Sequence, residues 1–454
     1  MKKRYEINMT RGPLLPEMLQ FILPLMVSSM LQIAFNAADL IVVGRFGRPH
    51  SMAAVGANGA MINLIVNVLM GFATGGGVLC ARYFGAKQTE KLHRTVGTTL
   101  IVGLVGGIIT GVIGLALTVP LLRLIGSPDE VLPLAAVYLR IYFLGLPVMA
   151  LYNFSAAVLR SLGNTRQPLF YLLIAGILNV VMNLFFVIVV GIDVAGVAIA
   201  TVLSLCVSGF LTVRCLLRTQ EMKLSELHFS RHIFKKMFKI GLPAGIQGSL
   251  FSVSNFIIQA SVNSFGAAVI AGNSACVSVE GLLYCPQDAV MQAATTAVSQ
   301  NVGAQEYERS RSVARWSVVL TLILTGVMSA LAVVFRRQVL GLYTSSEAEL
   351  EAAFIRMMIV GTTYVFDGTM AALSGVNRGL GYSLMSAAVT FFGACVFRII
   401  WVYTVFASVG TLESLYISYP ISWIISTAAQ YVCYLIVRKR PFRQFAARQQ
   451  SVTA

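Results

Sequence analysis

The sequence predicts an all-α polytopic membrane protein, and three observations lead to that fold class. Fifty-seven per cent of the 454 residues are hydrophobic, only 11% are charged, and the mean hydropathy is +0.78. Apolar runs of roughly 20 residues or more, long enough to span a bilayer as a helix, recur along the chain. The period-two alternation of membrane β-barrels is not found, so helices are expected to satisfy the backbone hydrogen bonds in lipid.

Twelve apolar segments are predicted to cross the membrane as helices. Each is long enough for the hydrocarbon core, and most are separated by short polar or basic loops. The segments lie at about 14–44, 51–81, 95–119, 132–158, 168–191, 194–215, 233–263, 267–299, 313–334, 351–376, 384–408 and 414–437.

The basic residues orient these twelve segments. Twenty-six of the 34 Lys and Arg residues fall on one side of the predicted membrane, five on the other and three within spans. This asymmetry predicts that both termini lie in the cytoplasm and that the protein resides in the plasma (cytoplasmic) membrane. The net charge of +16 is spread over many short loops, which argues against a nucleic-acid partner. The first apolar segment is too long for a signal peptide and is expected to be retained.

The chain contains an internal repeat. The segment "LPLMVSSMLQIAFNAADLIVVGRFG" from Leu23 matches "LPAGIQGSLFSVSNFIIQASVNSFG" from Leu242, an offset of 219 residues that pairs Asn36 with Asn255. Each copy holds six predicted spans, so both copies enter the membrane from the same side. Parallel repeats of this kind are typical of transporters, whose substrate path lies between the two halves.

The repeat also predicts the division of the chain. We expect an N-lobe at 1–219, a cytoplasmic linker at 220–232, and a C-lobe with a basic tail at 233–454. Each lobe would then consist of six membrane helices.

Several function classes are excluded by missing motifs. The chain has no G-x-x-x-x-G-K-[ST] phosphate loop, so ATP hydrolysis is not expected. Its four histidines fall in predicted loops, and no Ser/His/Asp or Cys/His set converges in the membrane. We therefore predict that the protein is not an enzyme and carries no cofactor.

Ionisable residues inside the spans are the sharpest functional signal. A charge costs about 2.5–3.5 kcal/mol at the bilayer centre on insertion scales, so it must face a cavity or a partner. The embedded acids are Asp39, Glu280, Asp288 and Asp367, and the embedded bases are Arg140, Arg356 and Arg398.

The embedded bases have two interpretations. Arg140 and Arg356 lie at the outer starts of their spans, so we expect them to reach the lipid headgroups. Arg398 is deeper, and it either neutralises one of the three C-terminal acids in a structural ion pair or tunes the ionisation of one of them. Glu280 and Asp288, eight residues apart, form either a cation-attracting face or a buried pairing site.

The sequence also resembles a known family. "NAADLIVVGRFG", the "SQNVGAQ" that closes span eight, and "VAIATVLS" of span six resemble the multidrug and toxic compound extrusion (MATE) family over nearly the whole chain. The resemblance implies two six-helix lobes flanking a central cleft. It also implies export of cationic or amphipathic organic compounds in exchange for protons or sodium ions.

The resemblance further implies a cation site in the N-lobe. The family places an Asp in span one, an Asn and an Asp four apart in span five, and a Thr in span six. The matching residues here are Asp39, Asn179, Asn183 and Thr201, with Asp39, Asn179 and Thr201 as possible sodium ligands. Asn183 departs from the pattern, since an amide keeps an oxygen ligand but loses the protonatable group. The choice between H+ and Na+ therefore stays open, as does a purely structural role for the two asparagines.

A second site is expected in the C-lobe only in altered form. Asp367 matches an acid that some members carry in span ten, but the acid of span seven is missing. A C-lobe site would have to recruit Glu280 or Asp288, with Arg398 nearby.

These observations predict an ion-coupled exporter that works by alternating access, with Asp39 as the coupling residue. One alternative is a flippase for lipid-linked precursors of the same superfamily, which would favour a strongly cationic cleft. Another is a membrane receptor or scaffold without transport, although the chain offers no sizeable soluble domain.

Overall fold

A computed structural model describes residues 6–47, 50–124, 128–344 and 346–443. Every regular element in these ranges is helical, which confirms the predicted all-α fold class. The α-helices are α1 (Leu14–Phe46), α2 (Ser51–Ala57), α3 (Gly59–Gly85), α4 (Thr89–Leu124), α5 (Leu132–Ser161), α6 (Arg166–Leu184), α7 (Asp193–Thr219), α8 (Arg231–Asn263), α9 (Ala267–Ala304), α10 (Tyr307–Val334), α11 (Arg336–Leu340), α12 (Glu347–Arg356), α13 (Thr362–Gly379), α14 (Ser383–Thr390), α15 (Phe397–Trp401), α16 (Ala407–Val409), α17 (Leu412–Tyr416) and α18 (Ser418–Val437).

Short segments of other helix types join or extend several of these α-helices. In a π-helical segment each backbone hydrogen bond spans five residues in place of four, and such segments are frequent at functional sites. The π-helical segments are Phe185–Val190, Met357–Gly361, Phe391–Val396 and Val402–Phe406, and a 3-10 turn covers Leu224–Glu226.

Ten helical stretches among the described residues are long and apolar enough to cross a membrane. The predicted spans 233–263 and 351–376 are also helical, as α8 and as α12 to α13, but they are more polar. Gln247 and Asn255 dilute the apolar character of α8, and α12 to α13 carries buried ionisable side chains. Their membrane crossing rests on the repeat, in which they take the positions of spans one and four.

The chain separates into two compact units. Unit 1 comprises 1–7, 27–84 and 88–245, and unit 2 comprises 8–26, 85–87 and 246–454. Two boundaries fall inside α1 and α8, and the others lie before α1 and around the turn between α3 and α4. The sequence predicted lobes divided at the linker.

Unit 1 is built around α5, which packs against both α4 and α7. Phe143, Leu146 and Phe154 of α5 are buried in its apolar core. On α4, Gly107 lies so close to α5 that a Cβ placed there would be 2.7 Å from the Cα of Pro147. Small residues at helix contacts are the usual means of close packing in membranes, where lipid supplies no hydrophobic drive between helices.

Unit 2 is built around the contact between α9 and α13, with α10 and α18 packed beside them. Two hydroxyl groups of α9 donate hydrogen bonds to backbone carbonyls of α13, Thr295 to Gly375 at 3.1 Å and Ser299 to Gly379 at 3.3 Å. The absence of side chains at these two glycines permits that approach, and the hydrogen bonds fix the helix register.

We expect Gly107→Ala to destabilise the protein by about 1–3 kcal/mol, because the added methyl group would collide with α5 backbone that cannot move aside. The thermal unfolding midpoint of the purified protein in detergent measures this. Gly106→Ala is the matched control, since its Cβ would meet only Leu69 Cδ2 at 3.7 Å. Equal unfolding midpoints for the two variants would contradict the packing described for α4 and α5.

Candidate cation-coupling site

The four residues expected in the N-lobe site meet inside unit 1. Asp39 lies near the C-terminal end of α1 and is only 8% exposed. Asn179 and Asn183, four residues apart, occupy one face of α6, and both are buried. Thr201 is on α7, two turns after the start of that helix. Three separate helices therefore position one polar cluster.

A chain of hydrogen bonds links the four side chains. Nδ2 of Asn183 donates to Oδ1 of Asp39 and, at 3.3 Å, to Oδ1 of Asn179. Nδ2 of Asn179 donates to Oγ1 of Thr201 at 3.3 Å, and that hydroxyl donates to the Val197 carbonyl at 2.9 Å. The Thr201 hydroxyl also lies near the Asp39 carboxylate, to which it can donate its single hydrogen in place of the Val197 carbonyl. The charge on Asp39 is thus met by neutral donors, and no basic side chain among the described residues forms an ion pair with it.

The oxygen atoms of the cluster suit a hard monovalent cation. Asp39 contributes a carboxylate, Asn179 and Asn183 contribute amide oxygens, and Thr201 contributes a hydroxyl. Oδ1 of Asn183 is buried and has no hydrogen-bond partner among the described residues. This acceptor is free to contact an ion or a water molecule, as are several other buried side-chain oxygens of the described residues. The same carboxylate alone suffices to take up a proton, so the donor set fits either ion.

Two contacts of the site are invisible in the sequence pattern. Tyr138 of α5 is buried and lies within electrostatic reach of Asp39. One turn before Asp39, the ring of Phe35 lies against Gly176 of α6, where a Cβ would come within 1.9 Å of the ring. Gly176 precedes Asn179 by three residues, so this contact sets how closely α1 approaches the asparagine face of α6.

In unit 2, Glu280 forms an ion pair with Arg356. The guanidinium donates two hydrogen bonds of 2.7 Å to the two carboxylate oxygens, and a third of 2.9 Å from Nη1 to Oδ1 of Asn273. Arg356 also lies over the rings of Tyr416 and Tyr419, at 5.2 and 5.1 Å from their centroids. Of the two interpretations of Glu280, a cation-attracting face or a buried pairing site, these contacts support the buried pairing site.

The expectation that Arg356 reaches the lipid headgroups is wrong. Its side chain is 5% exposed, because a bidentate carboxylate partner on α9 holds it inside the helix bundle. Arg140, for which the same expectation was made, is exposed. Position along a span did not distinguish these two arginines; the presence of an acid on the facing helix did.

Arg398 is the most deeply buried of the embedded bases, at 2% exposed. Its guanidinium stacks 4.1 Å from the centroid of Tyr419 and 5.5 Å from that of Trp423. Nε donates to Oγ of Ser422 at 2.9 Å, and Nη1 donates to Oδ1 of Asn255 at 3.4 Å. Aromatic faces and neutral oxygens therefore stabilise this charge.

Asp367 lies within the electrostatic influence of Arg398 and accepts a 2.8 Å hydrogen bond from Nε2 of Gln287. Asp288 accepts one of 2.8 Å from Nε2 of Gln292 and interacts electrostatically with Arg378. Of the three embedded acids of unit 2, Glu280 forms an ion pair, whereas Asp367 and Asp288 lie within electrostatic reach of Arg398 and Arg378. An arginine in or near contact distinguishes them from Asp39.

The family model MatE matches the chain twice, over residues 24–185 and 243–404. The two matches together cover well over half the chain, and the second begins 219 residues after the first, as the internal repeat predicts.

Individual relatives agree with that match. The chain is 28% identical over 440 residues to the probable multidrug resistance protein YoeA of Bacillus subtilis, covering 92% of this chain and 93% of that protein. It is 22% identical over 434 residues to the multidrug export protein MepA of Staphylococcus saprophyticus, covering 92% and 93%. A solved outward-facing structure of a multidrug resistance MATE family transporter superimposes with a TM-score of 0.88 at 22% identity, covering 98% of this chain and all of the other.

The Glu280–Arg356 pair yields a prediction about stability. Glu280→Gln is expected to destabilise the fold by about 3–5 kcal/mol, because it leaves the Arg356 guanidinium buried without a counter-charge. The double variant Glu280→Gln/Arg356→Gln is expected to lose less than the single one, since no unpaired charge remains. Unfolding free energies of the four proteins of this double-mutant cycle, measured in detergent micelles, give the coupling. Additive losses would show that the two side chains are not coupled.

Proposed function

Because the chain belongs to the MatE family, we propose that it is a secondary active transporter that exports cationic or amphipathic organic compounds in exchange for protons or sodium ions. The named relatives support a multidrug range of substrates, since they are described as multidrug resistance and multidrug export proteins. The excess of basic residues on one side supports a plasma-membrane orientation with both termini in the cytoplasm.

The observation that carries the proposal is the contrast between Asp39 and the other buried acids. Glu280 is neutralised by Arg356, and Asp367 and Asp288 lie near arginines. Asp39 is held by amide and hydroxyl groups alone. A carboxylate with a built-in counter-charge has little need of an external cation, whereas one with neutral partners gains most from binding one. We therefore assign ion coupling to Asp39, with Asn179, Asn183 and Thr201 as its supporting ligands.

The hydrogen bonds give this assignment a mechanism. The bond from Asn183 to the Asp39 carboxylate is charge-assisted, a class worth about 1.5–3 kcal/mol. A proton on Asp39 removes the negative charge that strengthens that bond. A sodium ion competes for the same carboxylate oxygen and favours rotation of the amide, so that its oxygen faces the ion. A proton therefore weakens the link between α1 and α6, whereas a sodium ion replaces the hydrogen bond with coordination by oxygens of both helices. In either case the bond chain passes the change to Thr201 on α7.

This change in unit 1 also affects the binding of the substrate. Repacking of α1, α6 and α7 alters the surface that unit 1 offers to an organic cation. The ion and the substrate then favour different arrangements of the same three helices, which is the thermodynamic condition for exchange transport.

The flippase alternative is less well supported. Recognition of a pyrophosphate requires arginines that can reach it, whereas Arg356 and Arg398 are 4% and 2% exposed and are engaged by Glu280 and by aromatic rings. These two charges are better explained as parts of the core of unit 2.

The test is transport by the purified protein in liposomes with separately imposed proton and sodium gradients, using a fluorescent organic cation as substrate. We expect one of the gradients to drive export. Asp39→Asn is expected to reduce that export at least roughly tenfold, because a neutral amide does not take up a proton and has no negative charge to attract a sodium ion.

Asp367→Asn is the matched control, since Asp367 is also an embedded carboxylate held by a side-chain amide. It is expected to keep the gradient dependence of the parent. Export by Asp39→Asn at the parent rate, or equal losses in both variants, would contradict the assignment of coupling to Asp39. Failure of both gradients to drive any organic cation would contradict the proposed function itself.

A further inference from the structure

A groove of about 800 Å³ runs along unit 2 between α10, α13 and α18, and it belongs to neither the Asp39 cluster nor the ion pairs of unit 2. We call it the α10–α18 groove. Its walls are mostly apolar, and its residues include Val318 of α10, Phe366 and Leu373 of α13, and Ile424 and Ala428 of α18.

Three arginines line one end of this groove. Arg311 and Arg315 come from the first three turns of α10, and Arg438 immediately follows α18. No acidic residue lines the groove among the described residues. Arg311 has a 3.6 Å contact with Glu308, but that carboxylate is largely exposed and offsets only one of the three charges. The end of the groove is therefore strongly cationic.

The apolar walls are open to the surroundings of the molecule. Phe366 is 41% and Ile424 is 47% exposed, and both lie on helices of the membrane-spanning part of the chain. Next to the arginines, Tyr431 is half-exposed and Tyr434 lies within electrostatic reach of Arg311 and Arg438. Tyrosines beside basic residues are typical of the boundary between hydrocarbon and headgroups.

The distribution of charge selects the occupant. An organic cation of the proposed substrate class would be repelled by the three arginines. A molecule with an anionic phosphate at one end and an apolar chain at the other is complementary to the whole groove. Arginine is well suited to phosphate because its planar guanidinium donates two parallel hydrogen bonds. Basic pockets between membrane helices are known to bind anionic lipid headgroups.

We propose that the α10–α18 groove binds one anionic phospholipid, with its phosphate at Arg311, Arg315 and Arg438 and an acyl chain along the wall formed by Phe366 and Ile424. This site goes beyond the proposed function and does not depend on the coupling role of Asp39. Lipid bound there bridges α10 and α18 and stabilises that side of unit 2.

The test is native mass spectrometry of the full-length protein released from detergent, titrated separately with phosphatidylglycerol and with zwitterionic phosphatidylethanolamine. We expect one tightly retained phosphatidylglycerol and at least roughly tenfold weaker retention of phosphatidylethanolamine. The triple variant Arg311→Gln/Arg315→Gln/Arg438→Gln is expected to lower phosphatidylglycerol affinity at least roughly tenfold.

The matched control variant also removes three positive charges, from residues at the same end of unit 2 that lie outside the groove. Lys439→Gln/Arg440→Gln/Arg443→Gln is expected to keep the retained lipid, because these three exposed residues do not line the groove. A second variant, Ala428→Trp, fills the groove without changing its charge and is expected to abolish retention of the lipid. It decides the matter if the arginine variant fails to fold.

Three results would overturn the proposal. Equal retention of phosphatidylglycerol and phosphatidylethanolamine would mean that the arginines do not select the headgroup. Equal losses in the groove variant and the control variant would mean diffuse surface attraction without a site. Undiminished retention of the lipid by Ala428→Trp would mean that the lipid binds elsewhere. Displacement of the lipid by the transported organic cation would mean that the groove binds substrate.

Discussion

A charge buried among membrane helices has to be compensated, and this constraint organises both units of the protein. Water does not solvate a carboxylate between membrane helices, so a counter-charge, a set of hydrogen-bond donors or a bound ion must stabilise it. Unit 2 uses counter-charges: Glu280 is fastened to Arg356 by two short hydrogen bonds. Unit 1 uses donors, since Asp39 is met by Asn183 and Thr201. The two solutions have different consequences, because a built-in arginine fixes the compensation permanently whereas neutral donors leave it to an ion that comes and goes.

The internal repeat makes this difference interpretable. At the offset of 219 residues Asp39 corresponds to Ile258, which is 1% exposed and belongs to the apolar core of unit 2. The same helix position therefore serves as packing in one half and carries a carboxylate in the other. The fold does not need an acid there, which leaves function as the reason for the acid. Conversely, Arg356 and Arg398 of unit 2 lie against tyrosine and tryptophan rings, and Arg356 also donates to an asparagine oxygen. The charged side chains of unit 2 stabilise its fold, whereas the Asp39 carboxylate remains available to bind an ion.

The sequence predicted the fold class well because apolar length, loop charge and the repeat are local or periodic signals. It also predicted the Asp39 cluster, through a resemblance in which the four-residue spacing of Asn179 and Asn183 places both on one face of α6. It did not predict the partner of Arg356. Pairing of that residue with Glu280 depends on how α9 and α12 are rotated about their axes. Both helices carry several polar side chains, so the sequence does not determine which of them face each other. Tyr138 was missed for the same reason: nothing in an apolar helix marks which tyrosine faces a carboxylate on another helix.

We propose that neutralising Asp39 changes the link between α1 and α6. Hydrogen–deuterium exchange followed by mass spectrometry measures this directly, in residues 27–46 of α1 and 166–184 of α6, with and without the coupling ion and with correction for intrinsic exchange rates. We expect exchange in both segments of the parent protein to become faster when a proton neutralises Asp39 and slower when a sodium ion bridges the two helices. Asp39→Asn is expected to show the faster exchange already without ion and not to respond to either ion. An unchanged response in Asp39→Asn, or a response confined to α9 and α13, would contradict the proposal.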